Sequence, residues 1–319
     1  MPGRPNPFIG DGVPPLVTIN IPTYNQSRYI RRAVESALGQ DYPNLEVVVA
    51  DDRSPDDTFA VASAIGDPRL RVVRNAHNRG RVGNYRHMLY ELARGEWVVN
   101  LDGDDWYDDP GFVARAVSCV TARPGIVLYA AGARSFVEAT GAFHAAPMRL
   151  DGDVRTMPGV DYVLGYPQLG ATQHFAVLYN AARARETGFY QLDSLGTDTD
   201  SLCRLALTGE VVVERRYVGV WTEHQDNASY TLTSGSLAKE VAMVDHIAAA
   251  LAQHVPEQVW RPWRDSRVRW KTDFTILLEL ARLPYPQAWR HWAARARFDR
   301  FTLKEAVKLL VRPVRRRWR

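Results

Sequence analysis

The chain has 319 residues, of which 46% are hydrophobic and 24% charged, and its net charge is +4. This composition is that of a globular protein with one large or two modest domains. No apolar run reaches the 18 residues of a membrane-spanning helix, and the two cysteines, Cys119 and Cys203, are too few for a disulfide framework or a cysteine metal site. These features favour a cytoplasmic protein.

The N-terminal part opens with a strand and an amphipathic helix. Residues 1–14 are rich in Pro and Gly and predict a flexible lead-in. Leu16–Ile21 predicts a buried strand. The next helix is predicted by apolar residues at helical spacing: Ile30, Ala33, Val34, Ala37 and Leu38.

The same alternation continues. Leu45–Ala50 predicts a second buried strand, and Ser54, Pro55 and Asp57 predict the N-cap, the first-turn proline and the first-turn acid of a helix that runs to Ile65. The following elements are a strand at Leu70–Val73, a helix at Val82–Arg94, a strand in "EWVVNL" and a helix opened by Asp109-Pro110. We therefore predict an α/β fold with a mostly parallel central sheet and helices on both faces. Ligands of such folds bind beyond the carboxyl ends of the strands.

After about residue 125 the pattern loosens. "HFAVLY" predicts a strand, a short helix precedes Gly188, and Thr197 is predicted to cap the helix that follows it. From Leu237 onward the chain is predicted to be mainly helical.

The C-terminal region has a distinct composition. Val255–Arg319 contains 17 Lys and Arg against 6 Asp and Glu, and it holds six of the nine Trp residues. One predicted amphipathic helix carries Leu303, Val307 and Leu310 among basic residues. Three roles fit this region: peripheral contact with an anionic membrane surface, packing on its own domain, and packing in a homo-oligomer. Nucleic-acid binding is disfavoured because no recognition motif accompanies the basic residues.

An acid cluster follows the fourth predicted strand, in "VVNLDGDDWYDD". Asp102 and Asp104 flank Gly103, and carboxylates at this spacing repel unless a cation or solvent separates them. Mg²⁺ and Mn²⁺ prefer such oxygen ligands, often together with substrate phosphates. A solvated acidic turn is the alternative, and helix capping is the interpretation preferred for Asp108 and Asp109.

Polar residues also follow the first three strands. Asp52 could accept the imide N–H of uracil or thymine, or it could cap a loop. Tyr24, in "PTYN", could pack beside a base or in the core. Arg81 could bind phosphate, and Asn84 could bind the ligand or hold the loop.

Five stretches occur in the order found in family 2 glycosyltransferases, which have the GT-A fold. They are "VTINIPTYNQSRYIRRAVESALGQDYPNLEVVVADDRSPDDT", "NRGRVGNYRHML", "GEWVVNLDGDDWYDDP", "TGFYQLDSLGTDTDSLCRLALTGE" and "VWTEHQDNASYT". The chain resembles this family over roughly residues 15–231. The resemblance implies a GT-A domain over residues 15–235, with a nucleotide half to about residue 125 and an acceptor half after it. Residues 236–319 would be a helical C-terminal extension.

The resemblance also implies roles for particular residues. Asp198 would be the general base, although Thr197 stands where many members have Glu. Asp104 or Asp105 would bind Mn²⁺ or Mg²⁺ together with His224. The alternative for His224 is a plain surface position. The alternative for Asp198 is a favourable interaction with the helix dipole. The predicted donor-binding residues are Pro22, Tyr24, Asn25, Asp52, Arg81, Asn84, Asp102 and Gly103.

The predicted function is inverting transfer of a sugar from a UDP- or dTDP-sugar to an acceptor hydroxyl. The acceptor could be a glycan, a lipid-linked glycan or a small molecule, and the location is predicted to be cytoplasmic, including the inner face of the membrane. The alternatives are an inactive sugar-nucleotide-binding scaffold and a nucleotidyltransferase. The latter is disfavoured because no Gly-rich phosphate loop follows the first strand.

Overall fold

The computed structural model describes residues 13–166, 168–170 and 173–282. Most of the predicted lead-in and the helix predicted around Leu303, Val307 and Leu310 lie outside these residues. The chain forms two compact units. The first comprises the residues up to Asp193 and Thr197–His224, and the second comprises Ser194–Gly196 and the residues from Gln225 onward. The division predicted at residue 235 stays a prediction.

Ten strands form one sheet among the described residues. They are β1 (Val17–Thr23), β2 (Leu45–Asp51), β3 (Leu70–Arg74), β4 (Trp97–Asn100), β5 (Trp106–Tyr107), β6 (Ile126–Val137), β7 (Ala142–Ala145), β8 (Val154–Pro158), β9 (Val177–Asn180) and β10 (Glu210–Glu223).

The helices lie between and after these strands. They are α1 (Ile30–Leu38), α2 (Thr58–Ser63), α3 (Gly80–His87), α4 (Phe112–Thr121), α5 (Gly159–Gly165), α6 (Ala181–Glu186), α7 (Thr197–Ala206), α8 (Leu237–Leu251) and α9 (Glu257–Arg282). A π-helical turn, Met88–Leu92, extends α3, and 3₁₀ turns occupy His174–Ala176 and Ala228–Thr231.

The strand order is β3-β2-β1-β4-β9-β6-β10-β5, with β7 beside β6 and β8 beside β10. The first four strands pair in parallel, as do β6 and β10. β9 is antiparallel to both of its neighbours, β4 and β6. Because the direction reverses twice across β9, the carboxyl ends of β1, β2, β4, β6 and β10 lie along one edge, which we call the site edge. The predicted α/β fold and mostly parallel sheet are confirmed.

Both faces of the sheet are covered. Alternate residues of β1 (Val17, Ile19 and Ile21) pack in a large core with the apolar faces of α1 and α4. On the other face Val48 and Ala50 of β2 pack against Met88 of the π-helical turn. Strands buried on both sides explain why β1 and β2 appear as continuous apolar runs in the sequence.

The predicted N-cap of α2 is wrong. The helix begins at Thr58, after Asp57, and no side chain caps it. Ser54 instead accepts a hydrogen bond from the backbone N–H of Asn25 at 2.9 Å. The reason is a tertiary contact, because Ser54 joins the loop after β2 to the loop after β1 before the helix starts.

The second unit contains α8 and α9. Glu240 of α8 is buried, and its carboxylate accepts hydrogen bonds from Nζ of Lys271 and from the backbone N–H of Leu195, both at 2.7 Å. Trp263 is buried in α9, whereas Trp270 is exposed and stacks on Phe274. None of the described helices is both long enough and apolar enough to cross a membrane. Membrane or subunit contact by this region stays a prediction.

Candidate functional site

The loops after β2 and β4 are joined to the end of β1 at the site edge. The backbone N–H of Asp52 donates to the carbonyl oxygen of Thr23 at 2.9 Å, and that of Gly103 donates to the carbonyl oxygen of Pro22 at 3.2 Å. These bonds continue the parallel pairing by one step beyond the strands. Three of the predicted donor-binding residues, Pro22, Asp52 and Gly103, are therefore brought together.

Position 103 has no room for a side chain. A Cβ atom there would lie 2.5 Å from Oε1 of Gln26 and 2.8 Å from Oγ1 of Thr23. Beside this contact, Tyr24 is half exposed, and Asn25 has a left-handed backbone with φ of 57°. The glycine is thus needed for the close approach of two loops at the site edge.

Asp52 and Asn84 belong to one buried hydrogen-bond network. Oδ1 of Asp52 accepts from Nδ2 of Asn75 and from the backbone N–H of Arg79, both at 2.8 Å. Asn75 also donates to Oδ1 of Asn84, whose Nδ2 donates to the carbonyl oxygen of Ala50 at 2.9 Å. Asn84 therefore holds the loop geometry, and a direct contact between it and a donor stays a prediction.

The acid turn after β4 meets the end of β10. Oδ2 of Asp104 lies 3.0 Å from Nε2 of His224, and the two side chains are 12% and 8% exposed. The hydroxyl of Thr222 donates to the backbone carbonyl oxygen of Asp104. The structure thus brings together two of the three predicted metal ligands, which are 120 residues apart in sequence.

The other two acids of this turn have different partners. The hydroxyl of Tyr85 donates to Oδ1 of Asp102 at 2.6 Å, and the backbone N–H of Thr222 donates to Oδ1 of Asp105 at 2.8 Å. Burial and the charge of Asp104 raise the pKa of Asp102 to about 7. Burial, with the charges of Asp104 and Asp102, also raises the pKa of Asp105. The negative charge of this corner therefore exceeds the positive charge that Arg81 and Arg32 bring to it.

These features fit a divalent cation. A carboxylate oxygen suits Mg²⁺ and Mn²⁺, and neutral imidazole is a common metal ligand. Asp104 and His224 are close enough to share one ion, and the raised pKa of Asp102 marks a place where added positive charge would be stabilising. No cluster of three His, Cys, Asp or Glu side chains suited to a metal occurs in the described part of the chain. The protein would supply two ligands, and phosphate oxygens and water would complete the set.

Helix α3 carries Arg81 and Tyr85 to the same edge. The guanidinium carbon of Arg81 lies 5.5 Å from the centre of the Tyr85 ring. Burial by itself would lower the pKa of Arg81, but the neighbouring groups, which include Asp198 and Asp102, outweigh it and raise the pKa. Asp198 of α7 and Asp102 after β4 therefore lie near one guanidinium.

An aromatic group that the sequence did not predict lies beside these residues. Nε2 of His174 lies 2.9 Å from the hydroxyl of Tyr190, and the His174 ring meets the Tyr85 ring edge to face, with centroids 5.4 Å apart. Tyr190 has a left-handed backbone with φ of 59°, a conformation that is costly outside glycine and is concentrated at functional sites. Tyr190 lies in the fourth stretch quoted above and His174 in "HFAVLY", but no local signal in either stretch predicted a role for them.

Lowering the pH is expected to destabilise the protein through His174. Burial lowers the pKa of His174 to about 4. The unfolded chain, with a histidine pKa of about 6.5, therefore takes up the proton first as the pH falls. From this group alone the free energy of unfolding should fall by about 2.5 kcal/mol between about pH 7 and pH 4.5.

Urea unfolding of the wild type and of His174→Gln at both pH values measures this effect. Other groups also titrate in this range, and the comparison removes their contribution. The variant should lose about 2.5 kcal/mol less than the wild type between the two pH values. Equal losses in the two proteins would contradict the assignment.

Helix α7 is anchored by an acid next to Asp198. Oδ2 of the buried Asp200 accepts from Nε of Arg204 at 3.0 Å, and Arg204 also donates to the carbonyl oxygens of Thr187 and Gly188. The prediction that Thr197 caps the helix is wrong, because the chain is already helical at this residue. Within the described residues its buried Oγ1 has no hydrogen-bond partner.

A family model, Glycosyl transferase family 2, matches residues 18–186 of the chain. The succinoglycan biosynthesis protein ExoO of Rhizobium meliloti (strain 1021) is 46% identical over 100 residues, which are 31% of this chain and 28% of that protein. The UDP-Glc:alpha-D-GlcNAc-diphosphoundecaprenol beta-1,3-glucosyltransferase WfaP of Escherichia coli is 38% identical over 92 residues, which are 29% of this chain and 36% of that protein. The chain thus matches about a third or less of these relatives' length.

Solved structures resemble the fold. S. aureus TarS 1–349 in complex with UDP-GlcNAc has a TM-score of 0.62 and 17% identity, over 81% of this chain and 72% of that one. The mannosyltransferase PcManGT from Pyrobaculum calidifontis, in complex with GDP-Man and Mn²⁺, has a TM-score of 0.55 and 19% identity, over 99% of this chain and 89% of that one. These likenesses confirm the predicted GT-A fold.

Proposed function

Because the chain belongs to glycosyl transferase family 2, we propose that it transfers a sugar from a nucleotide-sugar donor to an acceptor hydroxyl with inversion at the anomeric carbon. The observation that carries the proposal is the placement of Asp102 and Asp198 near Arg81. One acid comes from the turn after β4 and the other from the first turn of α7. One acid on the proposed donor side and one acid on the proposed acceptor side therefore lie near the same guanidinium, that of Arg81.

The donor is proposed to be a UDP- or dTDP-sugar. The nucleoside would lie along the ends of β1 and β2, with Tyr24 against the base and Asp52 accepting the imide N–H. Oδ1 of Asp52 already accepts two hydrogen bonds, which leaves Oδ2 for the base. Cytosine lacks this N–H, so the same carboxylate would select against it.

The diphosphate is proposed to lie at the acid turn. Asp104 and His224 would hold Mn²⁺ or Mg²⁺, with Asp104 rather than Asp105 as the carboxylate ligand, because Asp105 is buried and bonded to the backbone of Thr222. A bound divalent ion would neutralise negative charge on the leaving diphosphate. Arg81 would add a second, fixed positive charge on the same side.

Asp198 is proposed as the general base. It would accept the proton of the acceptor hydroxyl while that oxygen attacks the anomeric carbon. A single base opposite the leaving group implies one displacement and therefore inversion. Asp200 would not substitute for it, because its carboxylate is buried against Arg204.

An inactive donor-binding scaffold is the second candidate. The observation that favours it is Thr197, whose buried hydroxyl occupies the position where many family members carry a carboxylate. Release of the nucleoside diphosphate from a donor, with or without an acceptor, would exclude this function.

A thermal-shift panel of nucleotide sugars, each with and without Mn²⁺, tests the proposed donor. Saturating UDP- or dTDP-sugar with Mn²⁺ should stabilise the protein by about 3 kcal/mol at a hundredfold excess over Kd. For a domain of this size that is a rise in Tm of about 5 °C. A shift with GDP-sugars alone would overturn the pyrimidine assignment, and no shift with any donor would overturn nucleotide-sugar binding.

A further inference from the structure

The ring of His224 is stacked on the ring of Tyr29. The two ring centroids are 5.0 Å apart and the planes differ by 17°. Tyr29 directly precedes α1, whereas His224 directly follows β10. A residue from the first loop of the chain therefore covers one face of the imidazole that contacts Asp104.

Tyr29 is itself held by Glu138. Its hydroxyl lies 3.2 and 3.1 Å from the two carboxylate oxygens of Glu138, and Arg28 forms an ion pair with the same carboxylate at 2.9 Å. Glu138 follows β6, and its backbone N–H donates to the carbonyl oxygen of Glu223, the residue before His224, at 3.0 Å. The contacts close a ring of residues: Tyr29, Glu138, Glu223 and His224.

Stacking on Tyr29 restricts the orientation of the His224 imidazole. Both nitrogens of a histidine lie in the ring plane, so a stacking partner that fixes the plane also limits where Nε2 can point. In the structure Nε2 points at Oδ2 of Asp104. Without the stack, the His224 side chain would have more rotamers available, and its Nε2 would point at Asp104 for a smaller fraction of the time.

We propose that Tyr29, anchored by Glu138, is a positioning residue that orients His224 toward a divalent cation shared with Asp104. The inference rests on the proposed metal site, and it adds two residues, Tyr29 and Glu138, for which the sequence predicted no role. Loss of a group that orients a metal ligand typically weakens metal binding by about 10- to 100-fold. Tyr29 would do this without touching the metal.

Binding of Mn²⁺ in the presence of UDP, followed by the electron paramagnetic resonance of free Mn²⁺, tests the proposal without measuring turnover. Tyr29→Leu should raise the Kd for Mn²⁺ about tenfold. Tyr29→Phe keeps the stacked ring and loses only the bond to Glu138, so it should raise the Kd less than about threefold. Tyr90→Leu, which removes an exposed tyrosine outside the site, is the matched control and should bind Mn²⁺ as the wild type does.

The outcomes separate the inference from the proposed function. If Tyr29→Leu binds Mn²⁺ as tightly as the wild type while His224→Ala binds it more weakly, the positioning role is overturned and the metal site stands. If His224→Ala also binds as tightly as the wild type, the proposed metal site itself is overturned. Should Tyr29→Leu fail to fold, Tyr29→Gln removes the stacked ring and keeps a polar end group near Glu138, and wild-type affinity in that variant overturns the proposal.

Discussion

Replacing Asp198 with asparagine is expected to lower kcat by about 10²–10⁴-fold, the usual contribution of a general base. The asparagine amide has nearly the same shape but cannot take the acceptor's proton. Donor affinity should be unchanged, because the proposed donor contacts lie after β1, β2, β4 and β10 and on α3 rather than on α7. Steady-state kinetics with a saturating donor, and calorimetry of donor binding to the variant, measure the two quantities.

Asp200→Asn is the informative comparison, since it lies two residues away on the same helix. Asp200 and Arg204 form a buried ion pair, and removing one partner of such a pair typically costs about 3 kcal/mol. This variant should therefore have a lower Tm, whereas Asp198→Asn should keep that of the wild type. If Asp198→Asn lost donor binding rather than kcat, the base assignment would be wrong.

Asp104→Asn is expected to abolish the stimulation of turnover by Mn²⁺. Stabilisation of the leaving diphosphate by a bound ion is worth several kcal/mol, so the rate at saturating metal should fall by about 10³-fold. A neutral amide is a much poorer ligand for a hard cation than a carboxylate. Rates measured over a range of Mn²⁺ concentrations, for the wild type and the variant, give the effect.

Asp41→Asn is a matched control for this charge change. Asp41 is an exposed aspartate whose backbone N–H donates to the carbonyl oxygen of Pro110, so its variant should respond to Mn²⁺ as the wild type does. Circular dichroism should show that both variants are folded. Full Mn²⁺ stimulation in Asp104→Asn would remove Asp104 from the metal site.

The order of elements through β4 could be predicted from the sequence because its signals are local. Continuous apolar strands and the stripe of Ile30, Ala33, Val34 and Ala37 depend on neighbours within one element. The start of α2 could not be predicted, because Ser54 satisfies a partner 29 residues away instead of the helix end. Local cap patterns cannot reveal such competition.

The candidate site divides in the same way. Asp102, Asp104 and Asp198 are recognisable because each lies in a stretch with a characteristic order of residues. Tyr29, His174 and Tyr190 were not assigned a role from the sequence, although Tyr29 and Tyr190 lie in the quoted stretches, because their contacts are made between separate elements of the fold. The different partners of Asp104 and Asp105 could not be predicted either, since the two residues are adjacent and chemically identical.

The antiparallel strand β9, placed between β4 and β6, has a consequence for how substrates enter. It hydrogen-bonds the early strands to the late ones, so the proposed nucleotide-side and acceptor-side walls of the site are parts of one continuous sheet. A clamshell opening between these walls would have to break ladder bonds in the middle of the sheet. Entry and exit of substrates are therefore expected to depend on rearrangement of the loops at the site edge rather than on separation of the strands.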